Sequence, residues 1–375
     1  MRFLHLSDLH IGKNISNYSL IEDQKYALEQ IIDIANKNKV ELVIIAGDVY
    51  DKLISSNEAL ELYEWFIEEL IFKYKIKVIA IAGNHDSHKR LSYSKKFFEK
   101  FNYFVYGEYS DTDCITLEDE YGKINFYPIS YISIQKARTV FKDKEIENYS
   151  DLYNYLLESI SYNDRNVLIT HCYASETGYE SENAYDNNQK PLTIGGNDAM
   201  DAKIFKNFDY VALGHLHRAH YVLDEKIRYS GTFMKYSFSE VNDKKTITLV
   251  DLTDKLQITK IPIKPLRDFK IINDYFENIL NYEKSSDYIQ VVLKDEAIVE
   301  DAINILKSKF DHIVNIIYEK RIINNDDDFD FDIKGNDTLS LFDKFYKYKM
   351  DRKIEEHEQS VIKDILEDIN ETNKA

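Results

Sequence analysis

The sequence predicts an α/β fold, and two observations carry the prediction. Strand-like and helix-like periods alternate over residues 1–265, first as βαβαβ and later with more β. Five short apolar runs of strand length, 2–6, 42–46, 78–82, 167–170 and 210–213, each end at a loop that supplies metal-type side chains. Asp8 and His10 follow the first run and Asp48 the second. Asn84 and His85 follow the third, His171 the fourth, and His215 with His217 the fifth. A strand delivers its last residue to the sheet edge, so side chains at several strand ends can meet at one point.

Between the first two strands, residues 20–38 place Ile21, Leu28, Ile31, Ile32 and Ala35 at helical spacing. Asn57 reads as the cap of a second helix running to residue 74, with Leu60, Leu62, Tyr63, Phe66, Ile67 and Leu70 facing the sheet. Trp65 and Phe72 fall on the side shared with Glu61, Glu64 and Glu68. Residues 92–101 read as a short helix with Tyr93, Phe97 and Phe101 on one side. A long polar stretch occupies 175–197, a length that in a compact domain is usually functional. Strand-like runs return at 219–223, 226–230, 245–251 and 256–263, and Pro262 and Pro265 mark a boundary. Residues 266–325 read as a small α+β unit, with strands at 269–272, 288–293 and 313–318 and helices at 275–280 and 299–307. The acidic run 326–332 reads as a solvated linker. Beyond it, in the tail 326–375, Leu339, Leu341, Phe342, Phe345 and Tyr346 recur at helical spacing, followed by a second, charged helix over 354–369.

Composition narrows the class. A chain of 375 residues can bury a full core plus smaller additions. Two cysteines, Cys114 and Cys172, exclude a disulfide framework, and no His–Asn pattern marks Cys172 as a nucleophile. No apolar run reaches the roughly 18 residues a membrane span needs, and the first residues lack a charged segment followed by an apolar one. A cytoplasmic protein with no membrane partner is therefore expected. The net charge of −18 argues against bulk steering of nucleic acid, although more than half of the excess lies in residues 266–375.

The motifs carry the chemistry. In order they read D-x-H, G-D-x-x-D, G-N-H-D, T-H and G-H-x-H. Mixed Asp, Asn and His ligation suits divalent ions such as Mn²⁺, Fe²⁺ or Zn²⁺. Any one motif alone is more often a turn or a structural histidine. His5 inside a strand, His312 before an apolar run and His357 in a charged helix are read that way.

The ordered set resembles the calcineurin-like metallophosphoesterases over about residues 1–250. The resemblance implies a metallophosphoesterase β-sandwich flanked by helices, with two divalent ions, Mn²⁺ foremost. It implies Asp8, His10, Asp48 and His217 on one ion, and Asp48, Asn84, His171 and His215 on the other. It also makes His85 the residue that protonates the leaving oxygen, with Asp51 as its orienting carboxylate. Asp86 is read as serving the turn.

Gly47–Leu53 reads G-D-V-Y-D-K-L, departing from the G-D-x-x-D-R-G of the protein phosphatases. The stretch FDYVALGHLHRA over 208–219, IRYSGT over 227–232, KYSFSE over 235–240 and DTLSLFDKFYK over 337–347 instead resemble bacterial DNA-repair nucleases. That implies DNA cleavage beside an ATPase with a long coiled coil, docked through Leu339, Phe342, Phe345 and Tyr346. It further implies a homodimer within a heterotetramer, joined at Trp65, Phe72, Phe97 and Phe101. Lys13, Lys52, His88, Lys89, Arg90 and Arg218 are the basic side chains near the motif loops, open to reading as DNA contacts or as solvated surface. A generic metallophosphoesterase acting on a small phosphodiester is the alternative, and a binding protein with a degenerate site is a third reading.

Overall fold

The computed structural model describes residues 1–108, 114–176 and 199–319, and Tyr346 beyond them. Met1–Ile317 form one compact unit and Tyr318–Ala375 a second. Within the first, two six-stranded sheets pack face to face. One runs, in spatial order, Leu256–Pro262, Thr246–Leu252, Arg2–Leu6, Leu42–Ala46, Lys77–Ile81 and Tyr103–Tyr106. The other runs His220–Val222, Asp224–Tyr229, Tyr210–Gly214, Arg165–His171, Gly122–Ile129 and Ile115–Asp119.

The apolar runs are continuous because these strands are buried on both faces. Along Leu42–Ala46, Leu42, Ile44 and Ala46 join the core between the sheets, whereas Val43 and Ile45 pack outward. Phe3, Tyr210, Phe126 and Val250 complete the inner core. The helix Ile21–Lys37 covers the outer face of the first sheet with Ala27, Leu28, Ile31, Ile32 and Ala35. Tyr149–Leu157 does the same for the second sheet through Leu152, Tyr153 and Leu156. Arg2–Leu6, Leu42–Ala46, Lys77–Ile81 and Tyr103–Tyr106 run parallel, as do Gly122–Ile129, Arg165–His171, Tyr210–Gly214 and Asp224–Tyr229. Their carboxyl ends therefore share one edge of the sandwich.

A third sheet, Phe269–Asp274, Ser285–Leu293 and Phe310–Tyr318, holds the short helices Phe276–Ile279 and Ala302–Leu306.

Several local expectations are corrected. Ser56, not Asn57, caps the second helix, its side chain accepting from Ala59 N–H at 3.3 Å. That helix is α only over Asn57–Glu68 and continues as a π turn, Glu69–Lys73. The wider turn shifts the phase of everything after it. Leu60 is exposed rather than facing the sheet. Trp65 packs against the core with the Lys25 ammonium over its ring, whereas Phe72 is exposed. The expected helix 92–101 begins only at Lys95, because Ser94 takes a left-handed backbone (φ 64°), and after Phe98 it tightens into a 3-10 turn, Glu99–Phe101.

Candidate metal centre

The strands end, but their loops stay paired. Asp8 N–H donates to Gly47 O at 3.0 Å, His10 N–H to Asp48 O at 3.0 Å and Ile11 N–H to Val49 O at 2.9 Å. Asp8, His10, Asp48 and His215 all have positive φ, at 52°, 43°, 51° and 105°. Such backbone in non-glycine residues costs on the order of 1–3 kcal/mol each and persists where surrounding contacts impose it. The motif glycines answer to close packing: a Cβ on Gly83 would strike the Asp48 carboxylate, and one on Gly47 the His171 ring.

All seven side chains expected as ligands converge. His10 Nε2 lies 3.1 Å from His217 Nε2 and 3.8 Å from Asp48 Oδ2. On the other side of Asp48, its Oδ2 is 3.3 Å from His171 Nε2. That nitrogen is 3.0 Å from Asn84 Oδ1, which is 3.2 Å from His215 Nδ1. Asp8 accepts the His215 N–H at 3.1 Å, and its carboxylate groups both with His10 and His217 and with Asp48 and His171. Donors bonded to one ion at about 2.0–2.1 Å sit roughly 3 Å apart when adjacent. These spacings are of that size, in two sets that share Asp48.

The outer contacts fix which nitrogen faces the cluster. His171 Nδ1–H donates to Ala46 O at 2.9 Å, so Nε2 is the nitrogen that faces the cluster and gives up its proton when a cation binds. His217 Nδ1 faces Glu240 Oε1 at 3.4 Å, and Lys245 holds the other Glu240 oxygen at 2.5 Å. Imidazoles with one nitrogen so engaged are set up as metal ligands. Burial raises the Asp8 carboxyl. Burial also opposes ionisation of Asp48, yet the neighbouring His171, His10 and His85 hold it well below the usual carboxylate range. His171 is pushed to about 9: burial lowers it, but Asp48 outweighs that. Burial first, then His171, lowers His215 to about 3. The donor chemistry and the fixed tautomers fit divalent cations.

The Asp51–His85 pair meets differently from the expectation. His85 Nδ1–H donates to the Asp51 backbone carbonyl at 3.0 Å, while the Asp51 carboxylate takes the Lys13 ammonium at 2.7 Å and lies 3.7 Å from His10 Nδ1. The cation wins the carboxylate because it is the stronger partner. Asp86, read only as a turn residue, stitches two ligand loops: buried, it accepts from Val49, Tyr50 and Gly83 N–H at 3.0, 2.9 and 2.9 Å. Burial and the Asp48 charge raise it to about 6.

Lys52, Lys89, Arg90 and Arg218 are exposed, although Arg218 pairs with Asp243 at 3.3 Å. Lys13 is taken up by Asp51, and His88 by Gly83 O at 3.2 Å. Phe72, Phe97 and Phe101 are 51%, 58% and 39% exposed and form one aromatic patch, with ring centroids 5.2–5.7 Å apart. Tyr346 is helical, whereas Leu339, Phe342, Phe345 and His357 lie outside the described residues, as does 177–198. His5 is structural, bonded to Tyr210 OH and Leu213 O, and His312 to Ser286 O. Cys172 is buried and its thiol is pushed up to about 12, so it is no nucleophile.

Two residues of the site were not among the expected site residues: Glu240, which closes KYSFSE and lies behind His217, and Gln24, whose amide binds the ligand loop. Gln24 has a legible signal, as a polar residue on the apolar stripe 24, 28, 31, 35 of its helix.

Comparison with known proteins agrees with this geometry. The family model for calcineurin-like phosphoesterases matches residues 1–219. The chain belongs to the calcineurin-like phosphoesterases. It is 32% identical over 379 residues to the SbcD subunit of the nuclease SbcCD from Staphylococcus epidermidis, covering 98% of both chains, which puts it with the SbcD proteins of that family. Two solved structures are also similar. One is GAP50, the anchor in the inner membrane complex of Plasmodium (10% identity, 84% of this chain and 96% of that one, TM-score 0.41). The other is a dimetal phosphatase from Danio rerio (11%, 70% and 96%, TM-score 0.41). The nuclease relative and the family match together make this chain a metal-dependent phosphodiester hydrolase, and the donor set supplies residues for a divalent-metal site. Among the described residues no helix is long and apolar enough to cross a membrane.

Proposed function

We propose that this chain is a DNA nuclease using two Mn²⁺ ions, the nuclease component that works with an SbcC-type coiled-coil ATPase on double-strand breaks and hairpins. Its reactions are 3′–5′ exonuclease cleavage of duplex ends and endonuclease cleavage of single strands and hairpins. The observation that carries the reading is the pair of donor sets sharing Asp48. The SbcD relative covers nearly the whole chain, which favours DNA over a small phosphodiester.

Asp8, His10, Asp48 and His217 would hold one ion, and Asp48, Asn84, His171 and His215 the other. Bound there, the ions activate a water and relieve the charge that builds on phosphorus. Asn84 contributes a neutral oxygen, so the site gains no further negative charge as phosphate approaches. His85, exposed and held at Nδ1 by the Asp51 carbonyl, has its other nitrogen left to protonate the leaving oxygen. Lys52, Lys89, Arg90 and Arg218 meet the DNA backbone, and the α+β unit of residues 266–325 caps the site and binds DNA. Phe72, Phe97 and Phe101 form a homodimer contact, and the helix bearing Leu339, Phe342, Phe345 and Tyr346 docks on the ATPase.

The test is hydrolysis of linear and hairpin DNA by purified protein with Mn²⁺, stopped by a chelator. Robust cleavage of a phosphopeptide or a small phosphodiester, with none of DNA under any divalent metal, would overturn the proposal.

A further inference from the structure

We propose that Asp23 and Gln24, neighbours in the first turn of the helix Ile21–Lys37, are positioning residues that let the α+β unit hold the loop bearing Asp8 and His10 in its ligating shape. The proposal rests on the metal-centre reading above.

Both side chains are buried, which is unusual for a carboxylate and an amide in the first turn of a helix. Each is satisfied, but in opposite directions. Gln24 Nε2 donates to His10 O at 2.8 Å and to Tyr236 OH at 3.1 Å, while its Oε1 accepts the Gly12 N–H at 3.0 Å. One amide thus clamps the loop at two points flanking Ile11. That loop needs a clamp, because Asp8 and His10, neither of them glycine, have positive φ. Left-handed backbone of this kind persists only where its surroundings over-determine it.

Successive helix residues point about 100° apart, so Asp23 faces away from the loop. Its carboxylate takes Arg267 in a forked contact, Nε to Oδ1 at 3.0 Å and Nη2 to Oδ2 at 2.9 Å, and accepts Tyr288 OH at 2.8 Å. Arg267 leads into the strand Phe269–Asp274, and Tyr288 lies on its neighbour Ser285–Leu293. A bidentate Arg–carboxylate pair fixes orientation as well as distance.

A second pair of neighbours repeats the arrangement. Lys235 Nζ holds Asp268 at 2.9 Å, and Tyr236 OH donates to Leu9 O. The carbonyls of Leu9 and His10 are therefore held by groups whose sequence neighbours grip Arg267 and Asp268. A shift of the α+β unit is transmitted to the His10 donor through two short covalent links, and it reaches one donor set before the other.

Arg267→Met tests this, since it keeps the apolar stem and removes the fork, and the Arg267 head is directed at Glu22 and Asp23 rather than at any ligand. Mn²⁺ affinity is read by calorimetry, and kcat and KM are read on a duplex end. Loss of a contact behind a ligand typically weakens metal binding about 10–100-fold. A loss of that size at one of the two sites, with kcat lowered and KM for DNA unchanged, is expected. Gln24→Leu should match it, and the double variant should be no worse than the more impaired single, because both changes cut one chain of contacts. Should Arg267→Met fail to fold, Tyr288→Phe removes a single hydrogen bond and should show the same effect in smaller measure. Folded single variants with wild-type Mn²⁺ affinity, or losses that add in the double variant, would overturn the relay. Wild-type protein that binds no Mn²⁺ would instead overturn the metal-centre reading beneath it.

Discussion

Replacing His85 with alanine should separate catalysis from metal binding. The His85 side chain is exposed, and its ring hangs from the Asp51 carbonyl at 3.0 Å. Among the described residues its ring meets the Asp51 carbonyl and the His10 ring, so its removal leaves both donor sets around Asp48 complete. A positioned general acid contributes about 10²–10⁴-fold, and kcat on DNA should fall by that much. Two measurements sharpen the assignment. Metal content by elemental analysis should stay at wild-type level in His85→Ala and drop in Asp48→Ala, which strips the oxygen common to both sets. The deficit of His85→Ala should shrink on an aryl phosphodiester, whose leaving group departs without a proton. A rival geometry exists, because His10, Asp51 and His85 also cluster closely enough to share an ion. Equal metal loss in the two variants would favour that geometry and refute the acid role.

Three further outcomes are expected. Burial, with Arg228 nearby, lowers His5 to about 3, so the folded state resists its protonation. The stability linked to neutral His5 is fully present above the unfolded value of 6.5 and is lost as pH falls towards 3. The His5 share of the loss is about 2 kcal/mol between pH 7 and pH 5, and denaturant titrations should show His5→Gln losing less stability than wild type over that interval by this amount. Phe97→Glu with Phe101→Ser should convert a dimer to monomer in sedimentation velocity, since each buried Phe is worth roughly 1.5–3 kcal/mol; an unchanged sedimentation coefficient would remove the aromatic patch from the interface. Truncation before Asp337 should keep Mn²⁺-dependent cleavage by the isolated chain but abolish capture of the coiled-coil ATPase, and retained capture would end the docking assignment.

The ligand set was legible because its signal is local. A buried strand writes an apolar run, and the residue after it is delivered to the edge whatever the rest of the chain does. Val78–Ala82 before Asn84 and Tyr210–Leu213 before His215 need no tertiary knowledge to be read in this way. Helix phase was less secure. The π turn at Glu69–Lys73 inserts a shift that a 3.6-residue period does not contain, so Trp65 and Phe72, read as one face, separate into a core-packed ring and an exposed one.

The second layer of the site was hidden for a different reason. Asp51 illustrates it: the sequence shows a carboxylate three residues after Asp48, at the right place to orient His85. It does not show that Lys13, thirty-eight positions away, will take that carboxylate and leave the backbone carbonyl to the imidazole. Asp86, Glu240 and Gln24 share this character. Each is a buried polar group whose partners are backbone N–H and C=O groups or side chains elsewhere in the sequence, His217 and Lys245 for Glu240 and Tyr236 for Gln24, and no local pattern marks these pairings. Buried polar groups must be satisfied, so each of them constrains the ligand loops as firmly as a strand does. The motifs therefore name the donors, while the shape of the loops that present them is set by carboxylates and an amide whose partners the sequence does not reveal. Variants of Glu240 or Gln24 should accordingly change how tightly the site binds metal without changing which residues bind it.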